Sequence, residues 1–125
     1  MPKKIMIIDD DEIFLKELEE MIRESGYETA TATSAVGAFD IIIKEKPDLI
    51  LTDLKMEGIN GFQLSLLFKH HEQIRNIPII IMTGYLDEEN SLWLKNNFGT
   101  ERFIRKPFKP LDVIARIEEL TARKY

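Results

Sequence analysis

The sequence contains no cysteine among its 125 residues, which excludes disulfide bonds, thiolate zinc sites and cysteine nucleophiles. It has no apolar run near the ~18 residues of a membrane span, and its basic first residues lead too quickly into acids for a signal peptide. A basic surface is not expected either, because the net charge is −5, which argues against nucleic-acid binding. We expect one soluble cytoplasmic domain spanning residues 1–125.

Short apolar segments alternate with stretches of helical periodicity, which predicts βαβ units and a parallel sheet. Strands are predicted at about residues 5–8, 27–32, 49–53, 79–83 and 102–105. Helices are predicted at about residues 12–25, 35–46, 62–71 and 87–98, and from residue 110 onwards. The apolar residues of the first helix and the last helix recur at helical spacing, which predicts one buried face in each. These faces comprise Phe14, Leu15, Leu18, Met21 and Ile22 in the first helix, and Leu111, Ile114, Ile117 and Leu120 in the last.

Glycine is absent from the turn after the first strand, which reads Asp9-Asp10-Asp11. A dinucleotide-binding fold is therefore disfavoured, since its glycine-rich turn allows a pyrophosphate to approach the backbone. An acidic turn would repel a phosphate and attract a cation instead.

Four of the predicted strands end in a polar group that can take part in chemistry. Asp9 and Asp10 follow the first strand, Asp53 ends the third, Thr83 ends the fourth, and Lys106 follows the fifth. The carboxyl ends of parallel strands share one edge of the sheet, and ligands bind at that edge. We therefore expect three carboxylates, a hydroxyl and an ammonium to meet at one site.

The three aspartates would repel one another at such a site. Two like charges ~4 Å apart cost roughly 4 kcal/mol at an effective dielectric of ~20, so a proton or a cation is needed. All the ligands are oxygens, which suits Mg²⁺ or Mn²⁺ and disfavours zinc. An ammonium and a hydroxyl beside a metal can surround a transferring phosphoryl group, and a carboxylate can act as the nucleophile.

The strand-end residues lie in four motifs: Ile7-Ile8-Asp9-Asp10-Asp11, Asp53-Leu54-Lys55-Met56, Met82-Thr83-Gly84 and Lys106-Pro107-Phe108. Together these motifs resemble the receiver domain of two-component response regulators, and the resemblance extends from Lys3 to about Arg123. It implies a doubly wound (βα)5 α/β sandwich of three layers. The five-stranded parallel sheet would have the order 2-1-3-4-5, as in flavodoxin. The resemblance also implies a cis peptide bond between Lys106 and Pro107.

The resemblance assigns the metal and the phosphoryl group to particular residues. It implies that Asp53 is the phosphoacceptor, and that Mg²⁺, or alternatively Mn²⁺, is the cofactor. Asp10 would bind the cation directly, together with Asp53 and the backbone carbonyl of Lys55. Asp9 would act through water or as a further ligand.

The resemblance also implies a conformational switch. Thr83 and Lys106 would each bind a phosphoryl oxygen, and Phe103 would turn into the space that Thr83 leaves on moving toward the phosphate. The implied partners are a sensor histidine kinase or phosphotransfer protein, and a downstream protein or output domain. That output partner would contact the fourth helix, fifth strand and fifth helix. A phosphorylation-dependent dimer through the same face is an alternative.

Two other functions remain open. A phosphatase of the haloacid dehalogenase class also uses an aspartyl phosphate, but it has a second aspartate two residues after its nucleophile, where this chain has Lys55. A degenerate receiver would bind partners without being phosphorylated, and the complete set of strand-end residues argues against it. We predict a signalling domain rather than an enzyme, with self-catalysed phosphoryl transfer and autodephosphorylation only. The domain is either a single-domain regulator or part of a longer protein.

Overall fold

A five-stranded parallel sheet forms the centre of the molecule, in the order β2-β1-β3-β4-β5. The computed structural model describes residues 2–53, 61–84 and 103–122. Its strands are β1 (Lys4–Ile8), β2 (Glu28–Ala32), β3 (Leu49–Asp53), β4 (Ile79–Thr83) and β5 (Phe103–Arg105). The predicted fold class and strand order are therefore confirmed, and each predicted strand agrees with the observed one to within a residue.

Four helices flank the sheet within the described ranges. Numbered in chain order, they are α1 (Glu12–Glu24), α2 (Ala35–Glu45), α3 (Gly61–Lys69) and α4 (Pro110–Ala122). The helix predicted at Asp87 to about Phe98 lies outside the described residues. None of the helices that the structure describes is long and apolar enough to cross a membrane.

Local signals in the sequence explain where α1 and α2 begin and end. The Asp11 side chain accepts hydrogen bonds from the backbone N–H groups of Ile13 and Phe14, so it caps the first turn of α1. Ser34 caps α2 in the same way, because its Oγ accepts a hydrogen bond from the backbone N–H of Gly37 at 3.2 Å. At the end of α2, Lys46 adopts a left-handed conformation with φ 49°, directly before the proline that stops the helix.

Successive residues of the central strands face two separate cores, which makes the fold three-layered. One core joins the sheet to α2 and α3, and the other joins it to α1 and α4. Every residue of β3 and β4 is buried, as expected for inner strands covered on both faces. The polar groups at the ends of these strands are therefore held by a rigid, packed framework.

The predicted buried face of the last helix was wrong in part. Leu111 is 81% exposed, and Val113, which was not predicted, is 1% exposed. Two residues correspond to ~200° of rotation on a helix, so Leu111 and Val113 lie on nearly opposite faces. The buried face contains Val113, Ile117 and Leu120, an i, i+4, i+7 pattern, and Ile114 packs beside it.

Candidate functional site

The register of the sheet aligns the carboxyl ends of the strands. Asp53 of β3 is paired with Met82, and Thr83 of β4 is paired with Arg105. The residues that follow β1 and β5 therefore emerge at the same edge as the ends of β3 and β4. As the sequence predicted, Asp9, Asp53 and Lys106 meet at this edge, where the Lys106 ammonium contacts both carboxylates.

Three carboxylates form a cluster at this edge. Asp9, Asp10 and Asp53 each offer one oxygen, and these oxygens all lie within 4.8 Å of one another. Asp9 is 1% exposed and Asp53 is 8% exposed, whereas Asp10 is open to solvent. Oxygen ligands with one open side fit a small hard cation such as Mg²⁺, which prefers a few carboxylates and retains several waters.

Asp9 is held from two sides. Its Oδ1 accepts a hydrogen bond from the backbone N–H of Asp11 at 2.9 Å, and its Oδ2 accepts one from Lys106 Nζ at 3.0 Å. The first contact fixes the carboxylate to the turn that begins α1. The second joins the end of β1 to the loop after β5. Both oxygens of this buried acid therefore have partners within the protein.

The ammonium of Lys106 lies between two buried acids. Besides its contact with Asp9, Nζ is 3.1 Å from Asp53 Oδ1. A third contact was not predicted from the sequence: Nζ lies 4.1 Å from the ring centroid of Phe14 in α1. For Phe14 the helical spacing predicted only a place in the core. No local sequence signal reports a contact between residues so far apart in the chain.

The site shifts the pKa values of Asp53 and Lys106. Burial raises the pKa of the Asp53 carboxyl, and so do the charges of Asp9 and Asp10, while Lys106 opposes the shift. Burial by itself would lower the pKa of Lys106. Its hydrogen bond to Asp9 and the charge of Asp53 outweigh burial, so the pKa of the ammonium lies above its usual value. Lys106 is therefore charged at neutral pH, and the Asp53 carboxyl keeps its proton to a higher pH than a free aspartate does.

Two more of the predicted site residues, Thr83 and Phe103, lie in β4 and β5. Thr83 is 1% exposed, and its backbone carbonyl accepts a hydrogen bond from the Lys106 N–H at 2.6 Å. Phe103 is half-buried and packs against the core on the α2 and α3 side. The Lys106–Pro107 peptide bond is cis, as the resemblance implies. Lys55, whose carbonyl was predicted as a metal ligand, lies outside the described residues.

The strand order and the site together define a class of protein. The order 2-1-3-4-5 with flanking helices is that of the CheY-like flavodoxin fold, here with an acidic cluster and a lysine at its carboxyl edge. Residues 5–118 match the family model of the response regulator receiver domain. The chain belongs to this family, and it is a receiver domain of two-component signalling.

Individual relatives agree with this assignment. The polar-differentiation response regulator DivK of Brucella anthropi is 32% identical over 107 residues, which cover 86% of each chain. A CheY-like receiver domain protein from Methanospirillum hungatei is 31% identical, with a TM-score of 0.84 over 98% of this chain and 95% of its own. A receiver domain protein from Clostridium thermocellum is 27% identical, with a TM-score of 0.87 over 98% and 96%. Receiver domains bind Mg²⁺ at an acidic pocket and imply a histidine kinase partner.

Proposed function

We propose that this receiver domain, spanning residues 1–125, accepts a phosphoryl group onto Asp53 in a Mg²⁺-dependent reaction. The donor is a phosphohistidine on a sensor kinase or on a phosphotransfer protein. The observation that carries the proposal is the environment of Asp53. Its carboxylate ends an inner strand, contacts Lys106 at 3.1 Å, and lies within 4.8 Å of two further carboxylates.

The donor set supports a cation held by few protein ligands. Asp10, which is open to solvent, and Asp53 would hold Mg²⁺ directly, while the two oxygens of Asp9 each accept one hydrogen bond within the protein. Asp9 would then act through a water, and the backbone carbonyl of Lys55 is the proposed third protein ligand. A bound Mg²⁺ would neutralise charge on the carboxylates and on the phosphoryl oxygens.

The transfer step needs Asp53 as the nucleophile. A carboxylate oxygen of Asp53 attacks the phosphorus, and the new O–P bond forms as the N–P bond of the phosphohistidine breaks. The electron pair of the broken bond stays on the imidazole nitrogen. Lys106 leaves Asp53 Oδ1 and donates to a phosphoryl oxygen, while the hydroxyl of Thr83 donates to another.

Phosphorylation would then bias a conformational equilibrium. Thr83 is fully buried and Phe103 is half-buried, so movement of the threonine toward the phosphoryl group would open a space for the ring. The phosphorylated state is favoured because the phosphoryl group gains contacts there that the other state lacks. The proposed output surface is the one that the resemblance implies: β5, α4 and the helix predicted at residues 87–98, which lies outside the described residues. A downstream protein or output domain would bind this surface.

The proposal is tested by intact-mass spectrometry after incubation with Mg²⁺ and a small phosphodonor. We expect one added phosphoryl group on the wild type, its absence with EDTA, and its absence in Asp53→Asn. Asp40→Asn is the matched control, because Asp40 is exposed on α2 and the substitution removes the same charge. A wild type that gains no mass from the donor or from a phosphorylated kinase would instead support the degenerate receiver.

A further inference from the structure

The ring of Phe14 lies against the ammonium that the proposed reaction uses. Lys106 Nζ is 4.1 Å from the ring centroid, within the range of a cation–π contact. The lysine side chain is 23% exposed, so water screens this contact less than it would at an open surface. The ring thus adds a third contact to the two carboxylates that bind Nζ.

Two contacts hold Phe14 in place, one through its backbone and one through its ring. Its backbone N–H donates to Asp11 Oδ1 at 3.1 Å, which fixes the residue in the first turn of α1. Its ring meets the ring of Phe108 edge-to-face, with centroids 6.0 Å apart and planes at 71°. This is a favoured arrangement for aromatic pairs. Since Phe108 lies in the loop that carries Lys106, the pair joins the lysine loop to α1.

We propose that Phe14 is a positioning residue for Lys106, whose ring face keeps the ammonium at the acid cluster while the lysine exchanges one acceptor for another. This inference rests on the proposed function. Lysine has a flexible four-carbon stem, so its ammonium needs contacts that define its position. When the Asp53 oxygen becomes phosphorylated, Lys106 must transfer its hydrogen bond from that oxygen to a phosphoryl oxygen. The ring face presents a broad surface, so the contact with Phe14 persists during this shift.

A purely structural role for Phe14 makes different predictions, and the chain offers a matched control for it. Phe39 and Phe68 form a comparable edge-to-face pair in the other core, with centroids 5.1 Å apart and planes at 69°. Within the described part of the chain, the Phe39 ring has no lysine or arginine over it, and its other ring neighbour is His71, with centroids 6.4 Å apart. Phe14→Leu and Phe39→Leu therefore remove the same group from similar aromatic pairs, and only the first removes a contact with Lys106. Phe14→Tyr keeps an aromatic face in place.

The first measurement is NMR of the unphosphorylated protein in EDTA. An aromatic ring over Nζ shifts the terminal methylene protons of Lys106 upfield through its ring current. We expect this shift in the wild type and in Phe14→Tyr, and we expect its loss in Phe14→Leu but not in Phe39→Leu. Lys106 resonances that are unchanged in Phe14→Leu would overturn the contact itself.

The second measurement is the rate of phosphorylation at a saturating concentration of a small phosphodonor with Mg²⁺. We expect Phe14→Leu to be slower by about twofold to tenfold, because without the ring the flexible lysine must be ordered at the phosphoryl oxygen during the transfer step. Phe14→Tyr should restore the rate, and Phe39→Leu should match the wild type. Equal slowing by both Phe14 variants, or by Phe39→Leu, would overturn the positioning role.

The outcomes also separate this inference from the proposed function. If the wild type is labelled and Phe14→Leu is labelled at the same rate, only the role of Phe14 is overturned. If the wild type is never labelled, the proposed function fails and the positioning role fails with it.

Discussion

Replacing Asp53 by asparagine should make the protein more stable at neutral pH in the absence of divalent cations. Asp9, Asp10 and Asp53 together with the Lys106 ammonium carry a net charge of −2 when ionised. Asparagine keeps nearly the same shape and removes one of the negative charges. The structure therefore predicts that the proposed phosphoacceptor lowers the free energy of unfolding of its own protein.

The magnitude follows from opposing terms. At the 4.8 Å limit, repulsion between Asp9 and Asp53 is about 3.5 kcal/mol at an effective dielectric of ~20. The exposed Asp10 adds less, because water screens it. Attraction to Lys106 at 3.1 Å is about 5 kcal/mol on the same basis and roughly cancels both repulsions. Burial of Asp53 then decides the sign, because burial disfavours its charged form. We expect Asp53→Asn to raise the free energy of unfolding by about 1–2 kcal/mol, within the usual range for one substitution.

The assay is urea unfolding followed by circular dichroism, with EDTA, over a range of pH. Because the pKa of Asp53 is raised in the folded state, that state binds more protons than the unfolded chain between the ordinary and the raised pKa values. Wild-type stability should therefore fall relative to Asp53→Asn as pH rises through that interval. Asp40→Asn should lie within about 0.5 kcal/mol of the wild type. An Asp53→Asn protein that is less stable than the wild type at pH 7 would refute the reasoning.

Three further predictions concern the metal, the lysine and a helix cap. Mg²⁺ should raise the wild-type free energy of unfolding by about 2.7 kcal/mol at one hundred times its dissociation constant. Asp10→Asn should need a higher Mg²⁺ concentration for the same gain in stability. If both proteins gain stability at the same Mg²⁺ concentrations, Asp10 is not a ligand. Lys106→Met should destabilise the protein by about 2–3 kcal/mol in urea, because the buried Asp9 loses its cation; an unchanged midpoint would contradict this. Ser34→Ala should lower the free energy of unfolding by about 1 kcal/mol, because it removes the hydrogen bond that the Gly37 N–H donates to Ser34. The phosphorylation rate should not change, and a slower rate would show that the cap affects more than α2.

Much of the fold could be predicted because its signals are local. Apolar runs mark the strands, and the caps at Asp11 and Ser34 mark where α1 and α2 begin. The edge rule for parallel sheets then brought Asp9, Asp53 and Lys106 together without any knowledge of distances. The pattern could not predict how exposed each acid is, and the structure shows that Asp9 and Asp53 are buried while Asp10 is exposed.

The features that the sequence did not predict depend on packing between distant segments. Val113 rather than Leu111 faces the core, because the sheet and α1 set the rotation of α4, and both residues are apolar. The contact of Phe14 with Lys106 depends on how the loop after β5 approaches α1. Neither outcome is encoded in the spacing of apolar residues along one helix.

The most direct test of the central claim is to identify the phosphorylated residue chemically. Borohydride reduces an aspartyl phosphate to homoserine, and peptide sequencing by mass spectrometry then locates the reduced residue. After incubation with Mg²⁺ and a phosphodonor, we predict homoserine at Asp53 alone. Homoserine at Asp9 or Asp10, or a phosphorylated side chain elsewhere with Asp53 intact, would contradict the assignment of Asp53 as the phosphoacceptor.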